Sequence, residues 1–341
     1  MNILLTSAGR RTSLVLAFQN AVRSYGGKVM AADPDPLAPA CALADEAFCV
    51  PLVNRASYVD ALLRLARGKG VGLIVPTIDT ELPVLAEQGE RFRAAGVLVA
   101  GSKPGFVALC RDKWETFRVF QAEGIEVPAS WLPGPELPAL PEQLFLKPRD
   151  GSASVNAYPC AREDLARLLP MVPNPIIQER LDGSEVTLDA LLDFQGRPIH
   201  FVPRERIRTL GGESIQGVTL DVPELDAWAA RVLEVCGRLG AQGPITLQAF
   251  LTGRGPVLTE INPRFGGGFP LALAAGGDYP AWLVALQRGE TLQPRLGQYR
   301  RGLYMTRYYT EIFKETLPWP STAARQQAVA EYSGSGPERR S

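Results

Sequence analysis

Two kinds of order along the chain predict an α/β N-terminal domain followed by an α+β unit. Over the first hundred residues, short apolar runs alternate with stretches of helical spacing. That alternation is how a parallel sheet wrapped by helices reads in sequence. Beyond residue 105 it gives way to a helix, a proline-rich connection and strands joined by turns. A third observation is the stretch TEINPRFGGG, residues 259–268, which sets an acid, an amide, an arginine and three glycines at a strand end.

The elements follow in order. NILLTSA (2–8) is an apolar run ending in a turn. TSLVLAFQNAVRSYG (12–26) carries Leu14, Ala17, Phe18, Ala21 and Val22 at helical spacing and stops at Gly26-Gly27. KVMAADPD (28–35) is a second strand ending in acid and proline. SYVDALLRLARGKG reads as a helix, VGLIVPT (71–77) as a strand, TELPVLAEQGERFRAAG as a helix and VLVAG (97–101) as a strand. The first turn, TSAGRRTS, has one glycine and lacks G-x-G-x-x-G, and no G-x-x-x-x-G-K-[ST] occurs.

The second unit opens with the helix RDKWETFRVFQAEGIEVP, which has Trp114, Phe117 and Phe120 on one face and ends at Gly124 and Pro128. The connection LPGPELPALPEQ (132–143) leads to LFLKPRDGSASVNAY and PIIQERLDGSEVTLDALLD. PIHFVPRERIR, a helix over 224–239, and the strands PITLQAF and PVLTEIN come next. The tail beyond Pro320 ends SGSGPERRS, a composition expected to stay disordered. There is no internal repeat.

Composition narrows function by exclusion. Basic and acidic residues number 36 each in 341, which gives no electrostatic footprint for nucleic acid or an acidic membrane surface. No apolar run reaches the roughly 18 residues of a membrane span. MNILLTSAGRR carries its charges after the apolar run, the reverse of a secretory signal, so a cytoplasmic chain is expected. Cys41, Cys49, Cys110, Cys160 and Cys236 form no C-x-x-C pair and are expected as buried, reduced thiols. The single histidine, His200, excludes a His-rich metal site and reads as a structural or surface residue. Chemistry must therefore rest on carboxylates, amides, Lys, Arg and backbone.

Only six of the 36 basic residues are lysine, so Lys113 and Lys147 stand out. Lys113 sits in the first turn of its helix, where a cation opposes the helix dipole unless an anion is near. A solvated lysine offset by Asp112 as N-cap is the competing reading. Lys147 ends the run LFLK on the strand face of Phe145 and precedes PRDGSAS, whose backbone N–H groups can wrap phosphate oxygens. In PVLTEIN, alternation puts Glu260 and Asn262 on one face and Ile261 on the other. Gln248 is polar inside a second apolar strand, and if the two strands pair, three oxygen donors converge. Magnesium favours such a set, one or two carboxylates completed by water and phosphates. Arg264 can clamp a transferring phosphoryl group or a carboxylate. Gly266, Gly267 and Gly268 let backbone approach a ligand. Arg204, Arg206 and Arg208 alternate along one strand and are expected on one face. Arg10 and Asp79 lie at the ends of β-runs in the first domain, where open α/β sheets bind ligands.

The order of these pieces resembles the ATP-grasp family: Lys, Lys with a Gly/Ser loop, a strand and hinge with two glutamates, Gln, then Glu-x-Asn-Pro-Arg. ILLTSAGRR, PTIDTELP, KPRDGSAS, IIQE and EINPRFGGG are most similar to single-unit relatives of the carbamoyl-phosphate synthase large subunit. The resemblance covers the chain to about residue 318. It implies a Rossmann-like pre-ATP-grasp domain over 1–104, a small lid subdomain over 105–180, a C-terminal subdomain with the metal site over 181–318, and a tail over 319–341.

By that resemblance Lys113 and Lys147 hold phosphates, with Gly151, Ser152, Ala153 and Ser154 in a mobile loop. Gln178, Glu179, Arg180 and Leu181 line the adenine, and Glu185 meets the ribose. Gln248, Glu260 and Asn262 hold Mg²⁺, with Mn²⁺ as a possible substitute. Arg264 and Arg206 are the catalytic candidates, and Arg10, Asp79 and Arg208 the substrate candidates. The implied enzyme is an ATP-dependent ligase that makes an acyl phosphate from a carboxylate and passes it to an amine or similar nucleophile. Its implied partners are small-molecule carboxylates and amines, without nucleic acid or membrane, and a homodimer is possible. Many members carry Glu where this chain has Gln248, while the synthase-like branch carries Gln. A full carbamoyl-phosphate reaction is not expected, because that subunit has two such units and this chain one. Two rivals stand beside the ligase: an ATP/ADP-binding module without ligase activity, and a Rossmann oxidoreductase, which lacks its glycine fingerprint.

Overall fold

The structure, a computed structural model, describes residues 1–135, 137–151, 155–210 and 213–315. Contacts divide it into two units, one built on Met1–Gly101 with Tyr279–Thr291, the other on Ser102–Asp278 with Leu292–Tyr308.

The first unit is the expected parallel sheet. Its strands β1 (Asn2–Thr6), β2 (Val29–Asp33), β3 (Glu46–Cys49), β4 (Val71–Pro76) and β5 (Leu98–Val99) lie in the order β3-β2-β1-β4-β5. Every pairing in it is parallel. Strands covered on both faces need near-continuous apolar side chains, and β2 is buried at all its positions. The helices α1 (Thr12–Val22), α2 (Pro39–Leu43), α3 (Tyr58–Lys69), α4 (Leu82–Glu87) and α5 (Gly89–Ala94) fall between the strands. Leu62, Leu63 and Ala66 of α3 share a core with Leu4, Met30 and Ile74.

The second unit opens with α6 (Pro104–Arg111) and α7 (Lys113–Ala122). A small antiparallel sheet follows, made of β6 (Ser130–Trp131), β7 (Gln143–Pro148), β8 (Tyr158–Ala161) and β9 (Pro175–Glu179) in the order β6-β9-β7-β8. Leu144 and Leu146 of β7 join Ile177 of β9 and Leu165 of α8 (Leu165–Leu168) in one apolar cluster. Period-two alternation therefore turns Phe145 and Lys147 to the opposite face.

A larger antiparallel sheet contains β10 (Ser184–Leu192), β11 (Pro198–Leu210), β12 (Glu213–Thr219), β13 (Gly243–Thr252), β14 (Gly255–Asn262) and β15 (Tyr304–Thr306). Its order is β14-β13-β10-β11-β12-β15. Val186, Leu188, Ala190 and Leu192 of β10 pack with Leu225, Ala229, Val232 and Cys236 of α9 (Pro223–Leu239). The alternate residues Glu185, Thr187 and Asp189 take the other face, which becomes polar. After α10 (Phe269–Ala274) the chain returns to the first unit, where α11 (Tyr279–Gln287) packs on α1. The resemblance implies a C-terminal subdomain over 181–318, a range that includes this helix.

His200 is buried, and its Nε2–H donates to Gln298 O at 2.9 Å, as a structural histidine does. Four cysteines are buried, Cys49 is exposed, and none of the five is in a disulfide. Ser152, Ala153, Ser154 and the tail over 319–341 lie outside the described residues.

Candidate active site

The polar face of the large sheet assembles the proposed metal ligands by strand register alone. Gln248 of β13 pairs directly with Glu260 of β14, and Thr246 with Asn262. On its other side Gln248 pairs with Thr187 of β10, which in turn pairs with Arg204 of β11. Directly opposed residues share a face, so Glu260, Gln248, Thr187 and Arg204 form one transverse row. A register slip after Gln248 absorbs Thr259 and keeps Leu258 and Ile261 in the core. Gln248 and Glu260 are thus directly opposed, and alternation puts Asn262 on the same face of β14 as Glu260.

That donor set suits magnesium. One carboxylate and two amide oxygens leave positions for water and phosphate oxygens, which is how Mg²⁺ is usually held. Among the described residues no cluster of three His, Cys, Asp or Glu forms.

Lys147 points to the same region from the small sheet. Its ammonium lies 5.7 Å from the Phe117 ring centroid and 5.9 Å from that of Phe145. Burial pushes its pKa down to about 8, the Glu260 carboxylate works against that fall, and Lys113 adds to it. The residue as a whole keeps partial solvent access, so the enclosure concerns the ammonium between its two rings. Lys113 is 8% exposed rather than solvated, and its Nζ donates to Gly151 O.

The start of α7 is stitched to the end of β7. Asp112 caps the helix, accepting from Trp114 N at 3.0 Å and Glu115 N at 3.2 Å. Its carboxylate also takes Arg149 in a two-point clamp at 2.7 and 2.6 Å. Desolvation raises the Asp112 pKa, but Arg149 and the helix amides outweigh it and hold it below the usual range. The Lys113 amide donates to Arg149 O at 3.0 Å. Arg149 was not singled out from sequence; its signal was its place beside Lys147 in LFLKPRD.

The connection between the sheets places the nucleotide candidates unevenly. Gln178 is buried and donates to Ser130 Oγ at 2.8 Å. The Glu179 carboxylate takes Arg254 at 2.6 Å and the Ala129 amide at 2.9 Å, and its own amide donates to Ala129 O at 2.9 Å. Arg180 donates its amide to Gln143 O, and Leu181 begins the link to β10. Glu185 pairs with Arg206 on the polar face. Arg208 departs from expectation: the β11–β12 register slips between Arg206 and Arg208, pairs Arg208 with Gln216, and leaves it exposed. Arg204, Arg206 and Arg208 therefore do not form one row, because a bulge interrupts the alternation.

Arg264 follows Asn262 by a tight turn, its amide donating to Asn262 O at 2.8 Å. Its guanidinium Nη1 donates to Phe265 O at 3.1 Å. The glycines after it serve packing. A Cβ on Gly266 would lie 2.6 Å from Asp189 Oδ1, and one on Gly268 would lie 2.3 Å from Arg204 Cζ. The expectation that these glycines make room for ligand is corrected for those two positions: the room is filled by Asp189, Thr246 and Arg204. Gly267 O accepts from Arg307.

In the first unit Arg10 follows β1 and Asp79 follows β4, neighbouring strands of the sheet. Sequence reading missed Glu81, fully buried between them. It accepts from Tyr58 Oη at 2.8 Å, Ser7 Oγ at 3.1 Å, and the Thr77 and Ile78 amides at 2.7 and 3.2 Å. Burial raises its pKa. It ties the β1 and β4 turns together.

Comparison with known proteins agrees with this fold. Residues 3–100 match the family described as PylC-like, N-terminal domain. Residues 171–308 match the family described as ATP-grasp in the biosynthetic pathway with Ter operon. A D-alanine–D-alanine ligase of Mycolicibacterium smegmatis is 28% identical over 266 residues, spanning 65% of this chain and 71% of that one. The biotin carboxylase domain of Hydrogenobacter thermophilus 2-oxoglutarate carboxylase, solved with MgADP, ADP and bicarbonate, shares the fold at a TM-score of 0.72 and 17% identity, over 89% of this chain and 73% of that one. The L-amino acid ligase of Bacillus licheniformis does so at 0.65 and 18% identity, over 84% and 74%. No helix among the described residues is long and apolar enough to cross a membrane.

Proposed function

We propose that the chain, whose residues 171–308 match an ATP-grasp family model, is a Mg²⁺-dependent ligase of that family. It phosphorylates a small-molecule carboxylate with ATP and transfers the acyl group to an amine or similar nucleophile. The observation that carries this reading is the meeting of two elements. The Glu260–Gln248 pair on the large sheet is faced by the Lys147 ammonium from the small one.

The residue roles follow from charge and position. Lys113 and Lys147 bind the phosphates, and Glu185 with Arg206 addresses the ribose end of the polar face. Glu260, Gln248 and Asn262 would hold magnesium, which supplies charge neutralisation on the phosphate oxygens. A carboxylate oxygen of the substrate attacks the γ-phosphorus while the bond to the bridging oxygen breaks, so ADP leaves and an acyl phosphate remains. Arg264 stabilises the charge on the transferring group. The amine then attacks the acyl carbon, and phosphate departs with the bonding pair. Phosphoryl transfer of this kind depends on positioning and charge more than on covalent help from the protein. It therefore suits a site without histidine. ATP supply and reduced thiols make the cytoplasm the setting of this proposal.

The test is ADP release measured over a panel of carboxylates paired with amines. Release that requires both partners and Mg²⁺ supports a ligase. Tight Mg-ATP binding without release across the panel supports the binding-module alternative. Release that needs no divalent ion is incompatible with the proposed metal row.

A further inference from the structure

We propose that the buried Asp189–Arg204 pair is a positioning device that fixes the segment Pro263–Gly268, and through it Arg264, beside the metal-binding row. The inference rests on the ligase reading for what Arg264 does, but its geometry is independent of that reading. Arg204 Nε donates to Asp189 Oδ2 at 2.7 Å, and the two side chains are 3% and 2% exposed. Neither can touch a substrate, so any effect must pass through what packs on them. What packs on them is the glycine run.

Three side chains from adjacent strands make the platform. Thr246 of β13 donates its hydroxyl to Arg264 O at 3.0 Å. Gly266 rests on Asp189 of β10 and on Thr246, at positions where a Cβ would lie 2.6 Å from Asp189 Oδ1 and 2.9 Å from Thr246 Oγ1. Gly268 rests on Arg204 of β11, where a Cβ would lie 2.3, 2.5 and 2.6 Å from Cζ, Nη1 and Nη2. The planar guanidinium presents a rigid floor, and only backbone without a Cβ can lie that close to it. Arg204 also belongs to the Glu260–Gln248–Thr187–Arg204 row. The same side chain therefore registers both the metal-ligand strands and the segment that carries Arg264.

Energetics point the same way. A buried ion pair is weak evidence for stability, since apolar replacements of both partners are often neutral or stabilising. Fixing geometry is the better account of this one. A misplacement of about 1 Å at a reacting centre costs ~10² in rate.

The test compares wild type with Arg204→Met, Arg204→Lys, Asp189→Asn and the apolar pair Asp189→Leu/Arg204→Met. Hydrogen exchange is measured on the ligand-free proteins, with Mg-ATP affinity and ADP release alongside. In Arg204→Met, amides over 264–270 are expected to exchange about tenfold faster while β13 and β10 keep their protection. Mg-ATP affinity should stay within about threefold while turnover falls about tenfold or more. Arg204→Lys, which keeps the ion pair, should recover most of both. If Arg204→Met does not fold, Asp189→Asn carries the same readouts at nearly constant volume. Unchanged exchange over 264–270, equal losses of affinity and turnover, or wild-type turnover by the apolar pair would overturn the proposal. Failure of wild type to bind Mg-ATP would instead sink the ligase reading, and the exchange comparison would still decide the role of the pair.

Discussion

The Glu260 carboxylate on β14 favours the charged form of Lys147 on β7, although the two belong to different sheets. Burial between Phe117 and Phe145 disfavours the ammonium, and the Glu260 carboxylate favours it. In the proposed ligase a bound triphosphate adds negative charge to the same place. The lysine is thus held in an environment that ligand, rather than the fold, is suited to neutralise.

A pH dependence follows. In the free protein Lys147 titrates near 8, and bound phosphates must raise that value because they favour the charged form. Mg-ATP binding therefore takes up a proton above pH 8. Affinity should be level below that pH and fall as pH rises through it, up to the pKa of the complex. Isothermal titration between pH 6.5 and 9.5 should show this slope in wild type. Lys147→Met should bind more weakly without the slope. An identical slope in both proteins assigns the titration to another group.

Asp112→Ala should lower stability by at least about 1 kcal/mol, the usual worth of an N-cap, because it also frees Arg149. The sign with pH is fixed by the lowered pKa of Asp112. Its stabilisation is present above the unfolded value near 3.9 and is lost as pH falls through the lower folded value. Denaturation of wild type and Asp112→Asn should therefore differ at pH 6 and converge toward pH 2. A constant difference would show that the carboxylate charge is not involved.

Gly183→Ala should damage the connection between the two sheets. Gly183 has φ of +151°, and a Cβ there would lie 2.1 Å from the backbone oxygen of Leu251. Backbone cannot yield as a side-chain tip does, so a loss on the order of 1–3 kcal/mol is expected. Chemical denaturation measures it, and a midpoint equal to wild type would contradict the close approach.

The fold was legible where local pattern and tertiary role agree. Continuous apolar strands and helical spacing between Asn2 and Val99 gave the parallel sheet, because strands buried on both faces leave no other pattern. Glu260 and Asn262 were legible because alternation on a half-polar strand has one reading. Thr187 and Asp189 carried the same signal in SEVTLD, polar at every second residue, and went unread. The shared-face reading of Arg204, Arg206 and Arg208 did not anticipate the bulge, because it is set by pairing with β12 and leaves no mark on β11 itself. The glycines misled because a glycine required by a neighbouring side chain looks, in sequence, like one required by a ligand. The return of α11 to the first unit depends on contacts far apart in the chain, which no local pattern encodes.

In the proposed ligase the Thr259–Gly268 stretch separates metal holding from transfer, and Mg-ATP affinity with substrate-dependent ADP release, measured on Glu260→Gln and Arg264→Ala, tests that separation. Glu260→Gln removes the one carboxylate of the row and should nearly abolish turnover, with the Mg²⁺ dependence of nucleotide binding lost. Arg264→Ala should bind Mg-ATP as wild type does and lose about 3 kcal/mol of transition-state stabilisation, ~10² in rate. Wild-type turnover by both variants on a substrate that wild type uses would contradict the account.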